Sequence, residues 1–383
     1  MRTSSAIAHS SMAAVRPAAA ATTHHMAAQQ TWELYCSHPS RSAAFGNTQG
    51  SHPTMDKRSI TASAFSGQDR DDAPEPFGPS GGPDTPDAPQ NAAQIYVALC
   101  ALQAAVAVPH IVLPVETGIA LFAERMPVDL VSQFFLEQML GLGYFATSIS
   151  LNILAAGAMK GELHKTDYRR LNLGVAAAAI ALTAVRTLHW DMQSVLGQLE
   201  TVFQGGLTAV IPLYFYARTS GHGGSPSGIA QRAVSDVATL LRPRNINSTV
   251  YSAMTLAFLG LGATYICAPP DIITNIIAHA NTPDAMLLWR SIGATLLVLP
   301  SWGVTLKVAA DQDIPPRQQH QLLNLGLMLM GFGHVAILAP LWSTAEAGPL
   351  LHTIVAFWGT VGAIGTFGGL SGMRSTPPPD VDI

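Results

Sequence analysis

The chain has 383 residues and a formal net charge of −4; only 11% of its residues are charged, whereas 48% are hydrophobic. Soluble domains carry about 25% charged residues, so the composition excludes an ordinary soluble fold. The lack of a basic surplus argues against nucleic acid as a partner. Three cysteines, at Cys36, Cys100 and Cys267, have no spacing that indicates a disulfide framework or a metal site.

The N-terminal part of the chain is polar. Residues 1–62 are rich in Ala, Ser, Thr and His, with few acidic residues, which is typical of an organelle transit peptide; a disordered cytosolic tail is the alternative. Residues 63–92 are acidic and rich in Pro and Gly, so they cannot bury enough apolar surface to fold. We therefore expect a transit peptide, a disordered linker, and an organelle membrane, with the chloroplast (thylakoid or envelope) favoured over the mitochondrion.

Eight apolar segments follow the linker, each close to the roughly 20 residues that a helix needs to cross a bilayer. In lipid every backbone polar group must be satisfied within the segment, and continuous apolarity argues against a barrel. The predicted fold is an all-α membrane protein with eight transmembrane helices, at 94–115, 131–158, 171–189, 198–217, 250–268, 286–308, 321–342 and 349–371.

The connections separate by charge, which supports eight spans. Both termini and the 2–3, 4–5 and 6–7 loops then share one side, and the opposite loops hold Arg125 among several acidic residues. The positive-inside rule places the basic side in the stroma, matrix or cytosol. The basic side holds Lys160, Lys165, Arg169, Arg170, Arg218, Arg232, Arg242, Arg244, Lys307, Arg317 and Arg374.

The long connection at 218–248 separates the two halves of the chain. Its residues 228–242 place apolar side chains such as Ile229, Val234 and Val237 among polar ones at roughly helical spacing. This pattern is typical of an interfacial helix lying on the membrane. A flexible linker with a short helical turn is the alternative.

The second half of the chain repeats the first at a constant offset of 152 residues. Residues 171–174 and 323–326 share the sequence Leu-Asn-Leu-Gly, and Trp190 aligns with Trp342. We expect Asn172 and Asn324 to cap helix N-termini, where an Asn side chain accepts bonds from unpaired amides. The two tryptophans should anchor their helices at headgroup depth.

Ahead of this stretch the offset is 155 residues, so Tyr96 aligns with Tyr251 and Glu116 with Asp271. The two carboxylates follow prolines that end the first helix of each copy. An even number of spans per copy makes the copies parallel, related by an axis along the membrane normal. The predicted units are a first repeat at 93–217, a second repeat at 249–372 and a tail at 373–383.

Ionisable residues within the spans are costly in lipid and mark functional sites by default. Apart from His334, they are predicted in the leaflet nearer the acidic loops, where they could line a polar vestibule. The alternative is a set of structural ion pairs such as Glu137 with Arg290. The copies do not repeat these residues as a set, so a site would be asymmetric. The candidates are Glu137, Arg186, His189, Glu200, Arg290, His334 and His352.

The sequence carries no Walker loop, dinucleotide fingerprint or nucleophile elbow, and no histidine pair at metal-ligand spacing. We therefore predict no cofactor, no metal and no catalytic residue, and we favour a protein that is not an enzyme. The partner expected is the lipid bilayer, without nucleic acid. A homo-oligomer or a larger membrane complex is left open.

Three functions remain open. The first is a carrier or channel for a small solute, a proton or an anion, with its pathway between the two repeats. The second is a non-catalytic subunit or assembly factor of an organelle membrane complex, such as a photosynthetic one. The third is a membrane-embedded enzyme that modifies a lipid or quinone, with acid–base groups drawn from His189, Asp191, Glu200 and His352.

Overall fold

The computed structural model describes residues 88–122, 130–220, 226–278, 280–313 and 317–374. The predicted transit peptide, most of the predicted linker and nearly all of the predicted C-terminal tail lie outside the described residues. The described ranges are helical, with an isolated antiparallel bridge between Ile277 and Ala347. The first helix begins at Ala88, within the last residues of the predicted linker at 63–92.

The described residues of the first half form six α-helices. Proline has no backbone N–H to donate and is therefore well suited to the first turn of a helix. Accordingly, the first helix ends at Val112 and the next one begins at Pro114. A π-helical turn at Glu200–Gly205 joins the last two helices. The helices are α1 (Ala88–Val112), α2 (Pro114–Leu121), α3 (Leu130–Met159), α4 (Thr166–Leu188), α5 (Val195–Leu199) and α6 (Gly206–Ser220).

The second half contains seven further α-helices among the described residues. Ile246–Cys267 begins with a capping box, because the Asn245 side chain accepts from Ser248 N at 2.8 Å and Asn245 N donates to Ser248 Oγ at 3.1 Å. The helices are α7 (Pro226–Leu240), α8 (Ile246–Cys267), α9 (Pro270–Thr274), α10 (Pro283–Leu296), α11 (Leu299–Asp311), α12 (Gln318–Leu338) and α13 (Leu351–Arg374).

Seven helical segments of the described chain are long and apolar enough to cross a membrane, and each overlaps a predicted span. They indicate an integral membrane protein. The remaining predicted span, 198–217, lies in a continuous helical run formed by α5, the π turn and α6, but it is not among the seven. The seven are Gln90–Val112, Gln133–Met159, Thr166–Leu188, Ile246–Cys267, Pro283–Asp311, Gln318–Ser343 and Leu351–Leu370.

The two halves pack their helices in the same way. Helix α1 lies along α3, and α8 lies along α10 and α11; α4 packs with α6, and α12 with α13. The halves meet where α3 contacts α10 and α12 and where α4 contacts α10 and α11. The core is therefore shared between them.

Several contacts between the halves join residues that are 152 positions apart. Trp302 Nε1 donates to Ser150 Oγ at 2.8 Å. The Gln319 side-chain amide donates to Asp167 Oδ2, also at 2.8 Å. Trp302 and Ser150 are both fully buried, so this contact lies in the core between the halves.

The expected capping role of Asn172 and Asn324 is wrong. Helix α4 begins at Thr166 and α12 at Gln318, so each asparagine lies well inside its helix. Each instead accepts a hydrogen bond from a tyrosine hydroxyl: Tyr96 donates to Asn172 Oδ1 at 2.5 Å and Tyr251 to Asn324 Oδ1 at 2.9 Å. The prediction failed because the helices begin five and three residues ahead of the predicted apolar segments at 171 and 321, in polar residues.

The connection between the halves forms helix α7 rather than a flexible linker. Val234 and Leu241 are exposed, whereas Leu240 is buried. Arg170 of α4 binds Asp236 of α7 through two guanidinium nitrogens, with a shortest distance of 2.7 Å. The exposed apolar side chains are those that an interfacial helix would place in the membrane surface, and membrane contact stays a prediction.

Glycine allows α12 and α13 to approach closely. A Cβ on Gly331 would collide with the backbone of Gly362 and lie 2.6 Å from the Trp358 carbonyl oxygen, whereas a Cβ on Gly359 would meet only Val335 Cγ2, at 3.8 Å. Small residues permit such contacts where lipid supplies no hydrophobic driving force. The helix pair therefore depends on Gly331 and tolerates change at Gly359.

We predict that Gly331→Ala lowers the free energy of unfolding by about 1–3 kcal/mol, because overpacking forces the two backbones apart. Gly359→Ala is the matched control on the same helix pair and should be neutral or slightly stabilising. The measurement is thermal unfolding in detergent, followed by circular dichroism. Equal melting temperatures for the two variants would contradict this account of the packing.

Candidate functional site: a buried polar row in the first half

Helix α1 carries four polar residues on one face. Tyr96, Cys100, Gln103 and His110 follow one another at intervals of four, three and seven residues, which a 3.6-residue period places on one side of the helix. This face points into the first half, and Tyr96, Gln103 and His110 are buried. We use "polar row" for these four residues together with their partners, which are Glu137, Tyr144, Ser148, Asn172, Arg186, Glu200, Gln204 and Thr208.

One end of the polar row is charged. His110 Nδ1 lies 2.5 Å from Glu137 Oε2, and its Nε2 lies 4.0 Å from Glu200 Oε1. The same oxygen of Glu200 lies 2.8 Å from Arg186 Nη1 and accepts a hydrogen bond from the Tyr144 hydroxyl at 2.8 Å. These five residues, which we call the charged cluster, come from α1, α3, α4 and the π turn. None of the four ionic side chains is more than 8% exposed.

The π turn sets the position of Glu200. The turn begins at this residue, and such turns insert an extra residue into a helix, often at functional sites. At its other end Gly205 lies against α4, since a Cβ there would be 2.5 Å from Thr183 Oγ1. The close approach brings the turn next to Arg186, which lies in the last turn of α4.

The middle of the polar row is neutral. Gln103 donates to Thr208 Oγ1 at 2.6 Å and its side-chain oxygen accepts from Gln204 Nε2 at 2.9 Å. Cys100 Sγ lies 3.3 Å from Ser148 Oγ. A cavity of about 10 Å³ lies between Gln103, Gln204 and Tyr144, which is close to the space that one water requires.

Helix α2 covers the charged cluster at the end where Glu137 lies. A Cβ on Gly118 would collide with the Gln133 amide and lie 3.2 Å from Glu137 Oε1. Within the described part of the chain, this oxygen of Glu137 is buried and has no hydrogen-bond partner. The Ser194 hydroxyl holds α2 in place by donating to Ala120 O at 2.5 Å.

The aligned positions of the second half hold rings and aliphatic side chains instead. Tyr265 aligns with His110 and Trp289 with Glu137, and the rings of these two residues meet at 4.7 Å. Phe258 aligns with Gln103 and packs on Trp358 at a ring distance of 6.0 Å. At the positions aligned with Gln103, His110 and Glu137 the second half therefore packs aromatic rings, although it retains a tyrosine–asparagine hydrogen bond, between Tyr251 and Asn324.

The predicted pairing of Glu137 with Arg290 is wrong. Arg290 Nη1 instead lies 2.7 Å from His189 Nε2, whereas Glu137 binds His110. Burial and the Arg290 charge lower the pKa of His189 below its usual value. The neutral imidazole nitrogen can therefore accept a hydrogen bond from the guanidinium group, which has no acceptor of its own.

The other two candidate histidines, His334 and His352, lie apart from the charged cluster. His334 is buried; its Nδ1 lies 2.8 Å from Met330 O, and its ring stacks on Trp358 at 3.7 Å. His352 packs edge-on against Trp342 at 4.7 Å. Of the seven candidate residues, the structure brings together Glu137, Arg186 and Glu200 and leaves out Arg290, His189, His334 and His352.

Two of the three predicted structural pairs, the tryptophans and the carboxylates, lie at helix ends. Trp190 and Trp342 follow the ends of α4 and α12 and are 39% and 50% exposed, as an interfacial anchor must be; anchoring stays a prediction. Glu116 and Asp271 occupy the first turns of α2 and α9. A carboxylate there interacts favourably with the helix dipole.

Sequence reasoning missed His110, Tyr144 and Gln103. His110 is ionisable and lies inside a predicted span, so the rule that selected Glu137 applies to it equally. Its helical spacing from Gln103 was a second signal. Within the described ranges no group of three or more His, Cys, Asp or Glu side chains could hold a metal ion.

We predict that Arg186→Met destabilises the protein by about 3–5 kcal/mol, because it leaves the Glu200 carboxylate buried without its counterion. The double variant Arg186→Met/Glu200→Gln should recover much of this loss. Lys165→Met breaks the surface pair with Glu162 and should cost less than about 1 kcal/mol. Thermal unfolding in detergent measures all three, and equal losses for Arg186→Met and Lys165→Met would argue against a buried ion pair.

The lowered pKa of His189 predicts a dependence of stability on pH. Between this pKa and the ordinary histidine value of about 6.5, the unfolded chain binds more protons than the folded one, so stability falls as the pH drops through that window. We expect a lower melting temperature at about pH 5.5 than at about pH 7.5. His189→Gln should reduce this difference.

Comparison with known proteins gives no indication of function. No family model matches the chain, and no curated protein is significantly similar to it. The indications of function therefore come from the polar row and the helices that enclose it.

Proposed function

We propose that the chain is a carrier or channel for a small solute, a proton or an anion, and that its pathway follows the polar row. The observation that carries this proposal is the continuity of buried polar side chains from Tyr96 to His110. Over these 14 residues a helix rises about 21 Å, which is most of the roughly 30 Å hydrocarbon core of a bilayer.

The proposed pathway differs from the one expected between the repeats. The charged cluster draws its residues from the first half alone, and the aligned positions of the second half are filled. The second half touches the row at the cavity, through Thr295. We therefore place the pathway inside the first half, with the second half as its support.

The helical run at 195–220 completes the pathway if it is an eighth span. Its polar residues Glu200, Gln204 and Thr208 face the row, whereas Val202, Phe203, Leu207, Val210 and Tyr214 are exposed. A span that lines a polar pathway is expected to have one polar face and one apolar face. The polar face explains why this helical run is less apolar than the seven other segments. Eight spans in turn place both termini on the basic side, in the stroma of a chloroplast if the N-terminal region is a transit peptide.

Two contact patterns support a tandem repeat of four helices. The Tyr96–Asn172 bond has an aligned counterpart in Tyr251–Asn324. Contacts between aligned residues, such as Ser150 with Trp302, occur where an axis relates two copies, because residues near such an axis meet their own equivalents. We therefore propose two parallel repeats around an axis along the membrane normal.

A subunit of an organelle membrane complex is the second candidate. In the charged cluster each ionic side chain has a partner of opposite charge, which a purely structural role would also require. The apolar side chains that α7 exposes could equally contact a neighbouring subunit. A native gel of a mild-detergent extract separates the two, because migration as a free monomer excludes the complex.

A membrane-embedded enzyme is less well supported. Its expected acid–base residues have different partners: His189 binds Arg290, Glu200 binds Arg186, and His352 packs on Trp342. Such chemistry needs groups within hydrogen-bond reach of a common substrate. Because His189, Glu200 and His352 have three different partners, we do not propose this function.

We predict that Gln103→Leu reduces flux at least tenfold in proteoliposomes, because losing a polar group that pairs with the permeant species costs roughly 1–3 kcal/mol. Phe258→Leu, at the aligned position of the second half, is the matched control and should retain flux. The fluxes to measure are those of protons, chloride, nitrate and phosphate. Equal effects of the two substitutions, or no flux of any of these ions in the wild type, would argue against the proposed pathway.

A further inference from the structure

His110 lies between two carboxylates. Glu137 is at hydrogen-bond distance from one ring nitrogen, and Glu200 lies 4.0 Å from the other. An imidazole can take up a proton on one nitrogen and release one from the other, which makes histidine a proton shuttle. The charged cluster therefore has the geometry of a relay, with Glu137, His110 and Glu200 in series.

The charge balance of the cluster leaves room for one additional proton. Glu137 and Tyr144 from α3 and Glu200 from the π turn face His110, and Arg186 from α4 binds Glu200. With both carboxylates ionised and His110 neutral, the cluster carries one net negative charge. A buried net charge is strongly unfavourable, and one further proton between His110 and Glu137 would cancel it.

We infer that the ligand of the charged cluster is the proton and that His110 passes it between Glu137 and Glu200. This inference rests on the proposed function, since it names the species that moves along the polar row. In this relay, protons exchange with one side of the membrane at Glu137, beneath α2. Beyond Glu200 the polar row continues through Gln204 and Gln103 towards the other side of the membrane.

The transfer is balanced at each step. A proton leaves Glu137 Oε2 and forms an N–H bond at His110 Nδ1; the N–H bond at Nε2 then breaks, and its proton passes to Glu200 Oε1. The second step requires the 4.0 Å separation to shorten by about 1 Å, to hydrogen-bond length. Rotation of the imidazole ring restores its starting tautomer.

The unpartnered oxygen of Glu137 supports exchange at this position. Glu137 is buried, and its Oε1 has no hydrogen-bond partner among the described residues. A purely structural ion pair is expected to satisfy both oxygens, because an unpaired buried acceptor is costly. This oxygen faces Gly118 of α2, on the side away from His110.

Proton flux into proteoliposomes tests the relay. A trapped pH-sensitive dye reports the flux while potassium and valinomycin hold the membrane potential. His110→Gln and Glu137→Gln should each slow the flux at least about tenfold, because they remove a proton-transfer group. His334→Gln removes a buried histidine outside the row and should leave the flux unchanged.

Infrared difference spectroscopy on the purified wild-type protein gives a readout that does not depend on flux. A pH step should produce a carboxylic-acid C=O band that shifts in D₂O. This band should be absent in Glu137→Gln and retained in His334→Gln. If His110→Gln fails to fold, Glu137→Gln and this spectrum decide the question.

The outcomes separate the inference from the proposed function. Flux of chloride, nitrate or phosphate without any proton flux would overturn the relay and leave the carrier or channel intact. Undiminished proton flux in both His110→Gln and Glu137→Gln, or the absence of a carboxylic-acid band in the wild type, would also overturn the relay. No flux of any tested ion would remove both.

Discussion

The ion pair between Arg186 and Glu200 is the interaction on which the first half depends. Two opposite charges are tolerable inside an apolar bundle only if they meet, because the penalty for leaving one of them alone is severe. Their meeting requires the last turn of α4, the π turn before α6 and the Tyr144 hydroxyl of α3 to converge at one depth. His110 and Glu137 complete the group, so the charges and the helix packing specify one another.

Apolar segment length predicted eight spans, because bilayer thickness fixes the number of residues required, and seven of them overlap helices that are long and apolar enough to cross a membrane. The eighth, at 198–217, falls in the helical run at 195–220, whose polar residues face protein, and its crossing of the membrane stays a prediction. Glu137, Arg186 and Glu200 were among the predicted charges within the spans, and they belong to one buried cluster; their depth in the membrane stays a prediction. The direction in which each side chain points around its helix was not predictable, because a single sequence does not show which neighbouring helix a face contacts. Arg290 was for that reason paired with Glu137 rather than with His189.

The two halves pack their helices in the same way but hold different side chains at aligned positions. His110 and Glu137 form a hydrogen-bonded pair in the first half, and the aligned Tyr265 and Trp289 form a ring contact in the second. The tyrosine–asparagine bond is common to both. Similar helix packing therefore does not require the same side chains in the interior.

The contact between Ser150 and Trp302 determines how the halves can be combined. It joins unlike residues at aligned positions in a fully buried place. A pair of first halves would set serine against serine and leave a void, whereas a pair of second halves would force two indoles into the space of one. Neither homodimer can reproduce the native interface. Covalent linkage in one chain therefore secures a one-to-one stoichiometry that separate subunits would have to achieve by selective recognition.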